Sequence, residues 1–598
     1  MSLLVVLLPS AAVLAAAYLV YGGLLARLFR LDAEAATPAV TLRDDVDYEP
    51  IAPQLLLGQH FSAIAAAGPI VGPILAAVAF GWLPALLWIL CGSILIGGVH
   101  DFAALVVSVR HKARSIAEVV REHMSGRCYV LFLAFIWIAL VYIIVAFTDI
   151  TAASFVGRQT LENGATVSGG GIATSSLLYL VLPLLMGLCM RFGRMPLWLA
   201  TIIFLPLVGL AIWAGQQAPF DLGAACGVGD ATAQKMWGGL LLGYCLVAAL
   251  LPMWLLLQPR GHLGGCFLYV ALAGAAFGLV AGDRSLAAIC GGDACVRYPA
   301  FTGWQAANGQ PLVPMLFITI ACGACSGFHA LIASGTTSKQ LRRETDARPI
   351  GYGTMLLEAL VAVVSLCCVM VLPTGHELLA TPQPNQIYAN GMGDFLTSLW
   401  IPKAFGVSFA LMAFTTFVYD TLDVCTRLGR YIIEELTGLS GRAGSWLGTA
   451  LTAGVPLLLL LRPSLDAAGK PVPAWRTFWA LFGASNQLLA ALTLLGITVW
   501  LWRTRRAAWV WLVTGLPTAF MYVMSTWALA AMTLPRFRTD AGFALPADPV
   551  PWAGVVLLLL AAIMLVEAIR ALVISQGPPG AGGARLEPEP RRWATETA

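Results

Sequence analysis

Apolar residues along this chain fall into long runs that are separated by short polar or charged stretches. The runs extend from Leu3 to about Leu572, and each is close to the roughly 20 residues that an α-helix needs to cross a bilayer. A transmembrane β-barrel would show alternating apolar and polar residues instead. The pattern predicts an all-α, multi-span membrane protein with about fifteen transmembrane helices. We expect these spans near residues 3–26, 54–80, 83–109, 129–156, 175–190, 196–214, 236–257, 263–281, 312–338, 351–371, 404–426, 444–461, 476–502, 508–532 and 551–573.

Composition and charge agree with this pattern and add an orientation. Apolar residues make up 59% of the chain and charged residues 11%, which excludes a single water-soluble globule. Most of the 35 Lys and Arg residues fall in loops on one side when the N-terminus is placed outside. Because cationic loops are retained in the cytoplasm, we expect a multi-pass protein of the bacterial inner membrane with a cytoplasmic C-terminus. The net charge of +4 is explained by these loops and indicates no nucleic-acid partner.

The second apolar run is interrupted near its middle. The sequence "GQHFSAIAAAGPIVGPILAA", residues 58–77, places Gly68, Pro69, Gly72 and Pro73 in a predicted span. Each proline removes a backbone donor and disturbs the preceding helical turn. Irregular backbone at membrane depth is tolerated only around a protein-enclosed or watery cavity, so the break predicts a ligand site. The positive end of the restarting half-helix suits a carboxylate, and a simple kink is the alternative.

A second apolar run is also interrupted near its middle, and its predicted span crosses the membrane in the opposite direction. In "CGACSGFHALIASGTTSKQL", residues 322–341, Gly323, Ser326 and Gly327 precede His329 in the middle of a predicted span. Two interrupted helices of opposite direction are typical of inverted repeats with a binding site at the midplane of the bilayer. The sequence also predicts a third interruption in "LFGASNQLLAA", residues 481–491.

Ionisable residues inside the spans share one depth. His60, His100 with Asp101, His329 and Glu358 each lie about ten residues from the nearest inner charged boundary, which is roughly 15 Å along a helix. Charge in hydrocarbon is costly, so we expect these groups to face one cavity and to carry protons. A packed or helix-bridging role for any single histidine is the alternative.

Two aspartates, Asp420 and Asp423, lie closer to the inner surface. We expect them to pair with Arg427 or Arg430 rather than to take part in transport. The deeper hydroxyls of this span could offer oxygen ligands to a cation.

Cysteines and polar segments outside the spans give weaker signals. Cys290 and Cys295 fall in a predicted outer loop, where an oxidising compartment would permit a disulfide, with free thiols as the alternative. The pair Cys322 and Cys325 has a redox or metal spacing, but small residues at a helix contact are the favoured interpretation.

Residues 110–127 suit an amphipathic helix at the inner leaflet or a solvated basic loop. No metal or cofactor motif is found, and the tail after Gln576 is predicted to be disordered.

Four of these segments together resemble a known family. The blocks "GQHFSAIAAAGPIVGPILAA", "GGVHDFAALVVSVRHKARSIAEVV", "SGFHALIASGTTSKQL" and "LFGASNQLLAALTLL" are similar to signature blocks of the carbon-starvation protein A family of bacterial inner-membrane transporters. The resemblance implies uptake of pyruvate by proton symport in some members and of peptides in others, in response to carbon starvation. It also implies a relation to the amino acid-polyamine-organocation transporters, whose LeuT-like core contains broken helices in inverted repeats.

The sequence and the resemblance together predict a proton-coupled importer of a small carboxylate that works by alternating access. Pyruvate is the expected substrate, a di- or tripeptide the alternative substrate, and sodium the alternative coupling ion. A membrane-embedded metal-dependent enzyme or sensor is a minor alternative from another class. The predicted organisation is a first span and inner loop (1–53), an N-terminal family domain (54–375), a C-terminal multi-span domain (376–575) and a cytoplasmic tail (576–598). The predicted site residues are Gln59, His60, Gly68, Gly72, Ser326, Gly327, Asn486 and Gln487 for substrate, His100, Asp101, His329 and Glu358 for protons, and Thr415 and Thr416 for a cation.

Overall fold

A computed structural model describes the chain except for residues 1, 46, 162–163, 290–295, 381, 440, 464–471, 540–541, 544, 547–548 and 575–598. The described residues are mostly helical, as expected. The predicted disulfide between Cys290 and Cys295 and the predicted disordered tail lie outside the described residues.

The helices are numbered here in chain order. The first half contains α1 Leu4–Leu28, α2 Pro38–Thr41, α3 Pro53–Ile64, α4 Gly68–Phe80, α5 Trp82–Gly92, α6 Gly98–Arg110, α7 Ile116–His123, α8 Gly126–Ala153, α9 Gly169–Arg191, α10 Leu197–Gln217, α11 Leu222–Cys226, α12 Asp230–Ala248 and α13 Leu257–Ile289. The second half contains α14 Leu312–Thr319, α15 Gly327–Ile332, α16 Thr354–Met370, α17 Glu377–Ala380, α18 Pro384–Thr397, α19 Lys403–Thr437, α20 Gly441–Leu461, α21 Ala474–Arg505, α22 Leu516–Thr533 and α23 Pro549–Ile574. Two short antiparallel hairpins, β1 Arg158–Thr160 with β2 Thr166–Ser168 and β3 Arg538–Thr539 with β4 Gly542–Phe543, lie in loops.

Twelve helical segments of the described chain are long and apolar enough to cross a membrane, and the bent pair α3–α4 brings the total to as many as thirteen. Each predicted span coincides with a helical segment. Two of the fifteen predicted spans are not among these thirteen, and they correspond to α12 and to the interrupted α14–α15 region. The protein is therefore an all-α multi-pass membrane protein, and the count of fifteen stays a prediction.

Central and peripheral helices differ in how they bury their residues. Helices α8, α16, α19 and α21 are largely buried by protein, whereas α1, α10 and α23 expose many apolar side chains. Exposed apolar residues on a membrane-spanning helix are suited to contact with lipid tails. Several of the polar residues of interest lie on the largely buried helices, namely Glu358 on α16, Asp420 and Asp423 on α19, and Asn486 and Gln487 on α21.

One predicted interruption is wrong. Helix α21 runs without a break through residues 481–491, because this stretch has small residues but no proline to remove a backbone donor. A side chain at Gly483 would clash with the Ile318 carbonyl oxygen. The small residues of this stretch therefore allow α21 to pack closely on the other broken region instead of breaking α21 itself.

The basic segment at residues 110–127 does contain an amphipathic helix, α7. Ile116, Ala117, Val119 and Val120 are buried, and the helix packs against α8 and α21. Its apolar face is therefore covered by protein rather than by the inner leaflet.

Candidate functional site

The predicted break in the second span is present between α3 and α4. Helix α3 ends at Ile64, α4 begins at Gly68, and the two axes differ by 41°. Pro69 occupies the first turn of α4, where its missing N–H would have no helical partner in any case. Three non-helical residues therefore separate the two helices. Pro69 lies at the start of the new helix, and Pro73 is accommodated inside α4.

The second predicted break is larger. Helix α14 ends at Thr319 and α15 begins at Gly327, so the residues between them are not helical. The two breaks touch each other, because a side chain at Gly68 would clash with the Cys322 side chain and one at Gly72 would lie 2.6 Å from the Thr319 carbonyl oxygen. Glycine at these positions lets the two interrupted backbones cross in direct contact.

Three segments bring His100, Asp101, His329 and Glu358 into one group, which we call the imidazole–carboxylate cluster. All four side chains are fully buried. Asp101 accepts hydrogen bonds from both imidazoles, with His100 Nδ1 at 2.7 Å from Oδ1 and His329 Nδ1 at 2.8 Å from Oδ2. His329 Nε2 lies 3.2 Å from Glu358 Oε2. Four of the five residues for which the sequence predicts one depth and one cavity therefore lie in direct contact, whereas His60 lies apart from them beside Thr337.

The far end of this cluster is incompletely paired. Although His329 Nε2 is close to Glu358, the angles do not satisfy a hydrogen bond, and neither oxygen of Glu358 has a partner among the described residues. The Cys322 Sγ atom also lies within 4.8 Å of a ring nitrogen of His329 and of a carboxylate oxygen of Glu358. A buried ionised carboxylate without a partner is costly, so Glu358 requires a proton or a cation nearby.

Each segment that carries the cluster adjoins a π-helical turn. Ser93–Gly97 precedes α6, Ala333–Thr337 follows α15, and Arg348–Gly353 precedes α16. Single π-helical turns are rare and are frequent at functional sites. Here they shift the helical register immediately beside the buried titratable groups.

His60 lies beside a second, smaller feature. Its Nδ1 lies 2.8 Å from the Thr337 hydroxyl, while its Nε2 and the Gln59 Oε1 have no partner among the described residues. Both residues line a cavity of about 10 Å³ that Asp420 also lines. This volume suits about one water molecule, and the polar walls could bind it.

A second charged group lies on the other side of this small cavity, and we call it the arginine–aspartate cluster. Arg260 on α13 lies 2.5 Å from Asp420 Oδ1 and 2.5 Å from Asp423 Oδ2, and it also donates to the Tyr419 carbonyl oxygen at 3.1 Å. Ser62 donates to Asp420, and Tyr244 donates to Asp423 at 2.9 Å. The cluster is buried and joins α3, α12, α13 and α19.

The expected partners of the two aspartates are therefore wrong. Arg427 donates to the carbonyl oxygens of Ala248 and Leu251, and Arg430 donates to that of Ala249. These two arginines stabilise the end of α12 instead. Arg260 falls in a predicted loop, because α13 begins at Leu257 and the predicted span only at residue 263, so its pairing with the aspartates is not predicted.

Asn486 and Gln487 contact the second break. Asn486 Oδ1 accepts from the Phe328 amide at 2.9 Å, and its Nδ2 donates to the Ser326 hydroxyl at 2.9 Å. Gln487 Nε2 donates to the Phe317 carbonyl oxygen at 3.0 Å. Both side chains thus supply hydrogen bonds to backbone or hydroxyl groups of the interrupted segment.

The two threonines proposed for a cation are buried on α19. Thr415 donates to the Met412 carbonyl oxygen of its own helix and lies 3.2 Å from the Ser176 hydroxyl. The Thr416 hydroxyl has no partner among the described residues. Thr416 thus has a hydroxyl without a protein partner in the described part of the chain, while Thr415 still has oxygen lone pairs that could face a cation.

A wide cavity of about 540 Å³ opens beside α15. Its walls include Ser334 and Gly335, close to His329 along the chain, and extend to Lys339, Glu118 and Glu435. The Lys339 ammonium lies over the Tyr431 ring at 4.5 Å from its centroid. The cavity lies on the same side of the bundle as the basic segment at residues 110–127.

Known proteins resemble this chain over most of its length. The family model "Carbon starvation protein CstA" matches residues 2–382 and 375–528. The Escherichia coli K12 pyruvate/proton symporter BtsT is 32% identical, and the match covers 88% of this chain and 81% of that protein. The Campylobacter jejuni peptide transporter CstA is 32% identical over 85% of this chain and 77% of its own length.

Solved structures show a more distant likeness. A manganese transporter mutant from Eremococcus coleocola aligns with a TM-score of 0.45 and 15% identity, covering 90% of this chain and 99% of that chain. MhsT in complex with L-phenylalanine aligns with a TM-score of 0.47 and 11% identity, covering 87% of this chain and 98% of that chain.

Proposed function

This chain belongs to the carbon starvation protein CstA family, and on that premise we propose that it imports a small carboxylate, first of all pyruvate, by proton symport. Relatives with transporter names and the many membrane-spanning helices support a transporter. The proposed setting is the bacterial inner membrane, with the N-terminus outside and the C-terminus in the cytoplasm, because the cationic loops then face the cytoplasm.

The imidazole–carboxylate cluster is the observation that carries the proton coupling. It consists of titratable groups only, it is fully buried, and it lies where the two broken helices cross. Binding of a proton to Glu358 or His329 would remove or balance the uncompensated carboxylate charge. A cluster of this kind can therefore exist in two protonation states, which is what a proton-coupled cycle requires.

The substrate carboxylate would bind next to this cluster. His60 Nε2 is an unpartnered buried atom on the wall of the small cavity, and Gln59 lines the same wall. The first turn of α4, at Gly68 to Gly72, adds the positive end of a helix. We propose that the substrate occupies this region when the crossing helices separate, while Asn486 and Gln487 hold the broken backbone that surrounds it.

Alternating access would follow from the same geometry. The wide cavity reaches α15 from the side of the basic segment, and in the proposed orientation it would open toward the cytoplasm. The two interrupted helices meet at their breaks and would belong to two inverted repeats that move relative to each other. Movement at the breaks would then close this cavity and expose the cluster to the opposite side.

The test is uptake of radiolabelled pyruvate by proteoliposomes that contain the purified protein. An inward proton gradient is imposed in one set and an inward sodium gradient in another, with protein-free liposomes as the control. We expect pyruvate to accumulate with the proton gradient alone. Absence of uptake under both gradients would contradict pyruvate as the substrate, and uptake with sodium alone would contradict proton coupling.

A peptide is the second candidate substrate, and the wide cavity favours it. Its volume of about 540 Å³ exceeds what a three-carbon acid needs, and Glu118, Glu434 and Glu435 on its walls could attract an amino terminus. Several relatives carry the name peptide transporter CstA. Uptake of a radiolabelled di- or tripeptide, measured beside pyruvate uptake under the same proton gradient, separates the two candidates, because only a peptide transporter should accumulate the peptide.

A further inference from the structure

Two histidines outside the transport site point their ring nitrogens at each other. His111 follows the end of α6 and His123 ends α7, and their Nε2 atoms lie 3.0 Å apart. The carboxylate of Glu122 completes a group whose ligand atoms all lie within 4.8 Å of one another. None of these three residues takes part in the proposed transport mechanism.

The tautomer of His111 is fixed by its other nitrogen. His111 Nδ1 lies 2.7 Å from the Val107 carbonyl oxygen, which can only accept, so Nδ1 carries the proton. The lone pair of Nε2 therefore points at His123. Metal-binding histidines commonly have this arrangement, in which one nitrogen donates to a carbonyl group and the other binds the ion.

The spacing also fits a metal ion. Two imidazole nitrogens that bind zinc at about 2.0–2.1 Å with tetrahedral angles lie roughly 3.3 Å apart. The observed separation of 3.0 Å is close to that value. Two histidines and one glutamate are a known zinc ligand set, and Glu122 is exposed, so a water molecule could take the fourth position.

We propose that His111, Glu122 and His123 form a binding site for a zinc-like divalent ion, separate from the transport site. Such an ion would tie the end of α7 to the end of α6. The bond from Arg503 to the His123 carbonyl oxygen, at 2.7 Å, already holds the same end of α7 on α21. Helix α7 carries Glu118, which lines the wide cavity, so a bound ion would fix one wall of the proposed cytoplasmic opening.

The site predicts a regulatory effect. Because α7 would lose freedom when the ion binds, zinc on the side of the basic segment should slow uptake, and a chelator should restore it. This consequence rests on the proposed transport function, whereas binding of the ion does not.

Zinc binding to the purified full-length protein, measured by isothermal titration calorimetry, tests the site without any transport assay. We expect one ion per chain from this site. His123→Ala and the exposed change Glu122→Gln should each weaken binding, by about tenfold or more for the histidine. His376→Ala removes a histidine far along the chain from this group and serves as the matched control. Cys322→Ser is included because Cys322, His329 and Glu358 form a second group of possible ligands among the described residues.

The outcomes are distinct. Zinc affinity that falls in His123→Ala and Glu122→Gln but not in His376→Ala or Cys322→Ser supports the site. Affinity that is unchanged in both His123→Ala and Glu122→Gln overturns it, and the two imidazoles are then only a hydrogen-bonded pair. If His123→Ala does not yield folded protein, the surface variant Glu122→Gln decides alone. Zinc binding without an effect on uptake would keep the site and contradict only its regulatory consequence.

Discussion

The two clusters are both buried and are opposite in character. The imidazole–carboxylate cluster contains no arginine or lysine and leaves both Glu358 oxygens without a hydrogen bond among the described residues. The arginine–aspartate cluster surrounds a permanently charged guanidinium with two carboxylates, a tyrosine hydroxyl and a backbone carbonyl. An arginine cannot release its proton in a protein, so the second cluster has one charge state at its centre. The difference supports the proposal that the first cluster changes protonation state during transport, whereas the second joins α3, α12, α13 and α19.

The largest expected effect is on stability and comes from the arginine–aspartate cluster. Arg260→Met leaves two buried carboxylates without their cation, and breaking a buried ion pair in this way costs about 3–5 kcal/mol. We expect a large loss of monodisperse protein in size-exclusion chromatography and a lower melting temperature in detergent. The triple variant Arg260→Met/Asp420→Asn/Asp423→Asn removes the unpaired charge and should recover part of the loss. Equal instability of the single and triple variants would contradict a charge-based role.

The next effect should appear in transport rather than in stability. Asp101→Asn removes the carboxylate that both imidazoles share, so gradient-driven uptake should fall to the level of protein-free liposomes while the protein stays folded. Asp221→Asn is the matched control, because Asp221 caps the short helix α11 and asparagine caps equally well. Full uptake by Asp101→Asn would remove the shared carboxylate from the coupling mechanism.

A smaller effect should come from the support of the second break. Asn486→Ala leaves the Phe328 amide without its acceptor, and an unsatisfied buried donor costs about 1–3 kcal/mol. The melting temperature should fall in proportion. Thr493→Ala lies on the same helix and removes a buried hydroxyl that has no partner among the described residues, so it should change stability little. Similar losses in both variants would argue against a specific role of Asn486.

The smallest effect concerns the hydroxyl at the edge of the arginine–aspartate cluster. Ser62→Ala removes one donor to Asp420, but Arg260 still pairs with this carboxylate, so we expect a loss of about 1 kcal/mol. Ser408→Ala, whose hydroxyl bonds only to its own helix at the Ala404 carbonyl oxygen, is the control. A loss in Ser62→Ala as large as in Arg260→Met would show that the stability of this cluster does not depend mainly on the charge of Arg260.

Much of the site could be predicted from the sequence because its signals are local. Pro69 has no backbone N–H to donate and is favoured in the first turn of a helix, and the depth of His100, His329 and Glu358 follows from counting residues along spans. Their mutual contact could be predicted only as a shared depth, because the direction of a side chain depends on helix rotation and on the π-helical turns beside them.

The remaining features depend on contacts between distant segments. The partner of Asp420 could not be predicted, because Arg260 precedes it by 160 residues. Arg260 also lies at the start of a helix that begins earlier than the predicted span. The small residues around Gly483 resemble a helix break in sequence, but Gly483 lies where α21 packs against the Ile318 backbone. His111 and His123 meet only because α7 folds back toward the end of α6.

The central claim is that the imidazole–carboxylate cluster couples substrate to protons, and Glu358→Gln tests it most directly. Gradient-driven accumulation of pyruvate and exchange of internal for external pyruvate without a gradient are measured on the same proteoliposomes. Glu567→Gln, which changes a glutamate paired with Arg570 near the end of α23, is the control. We predict that Glu358→Gln loses accumulation and retains exchange, while the control retains both. Undiminished pH-driven accumulation by Glu358→Gln would contradict the claim.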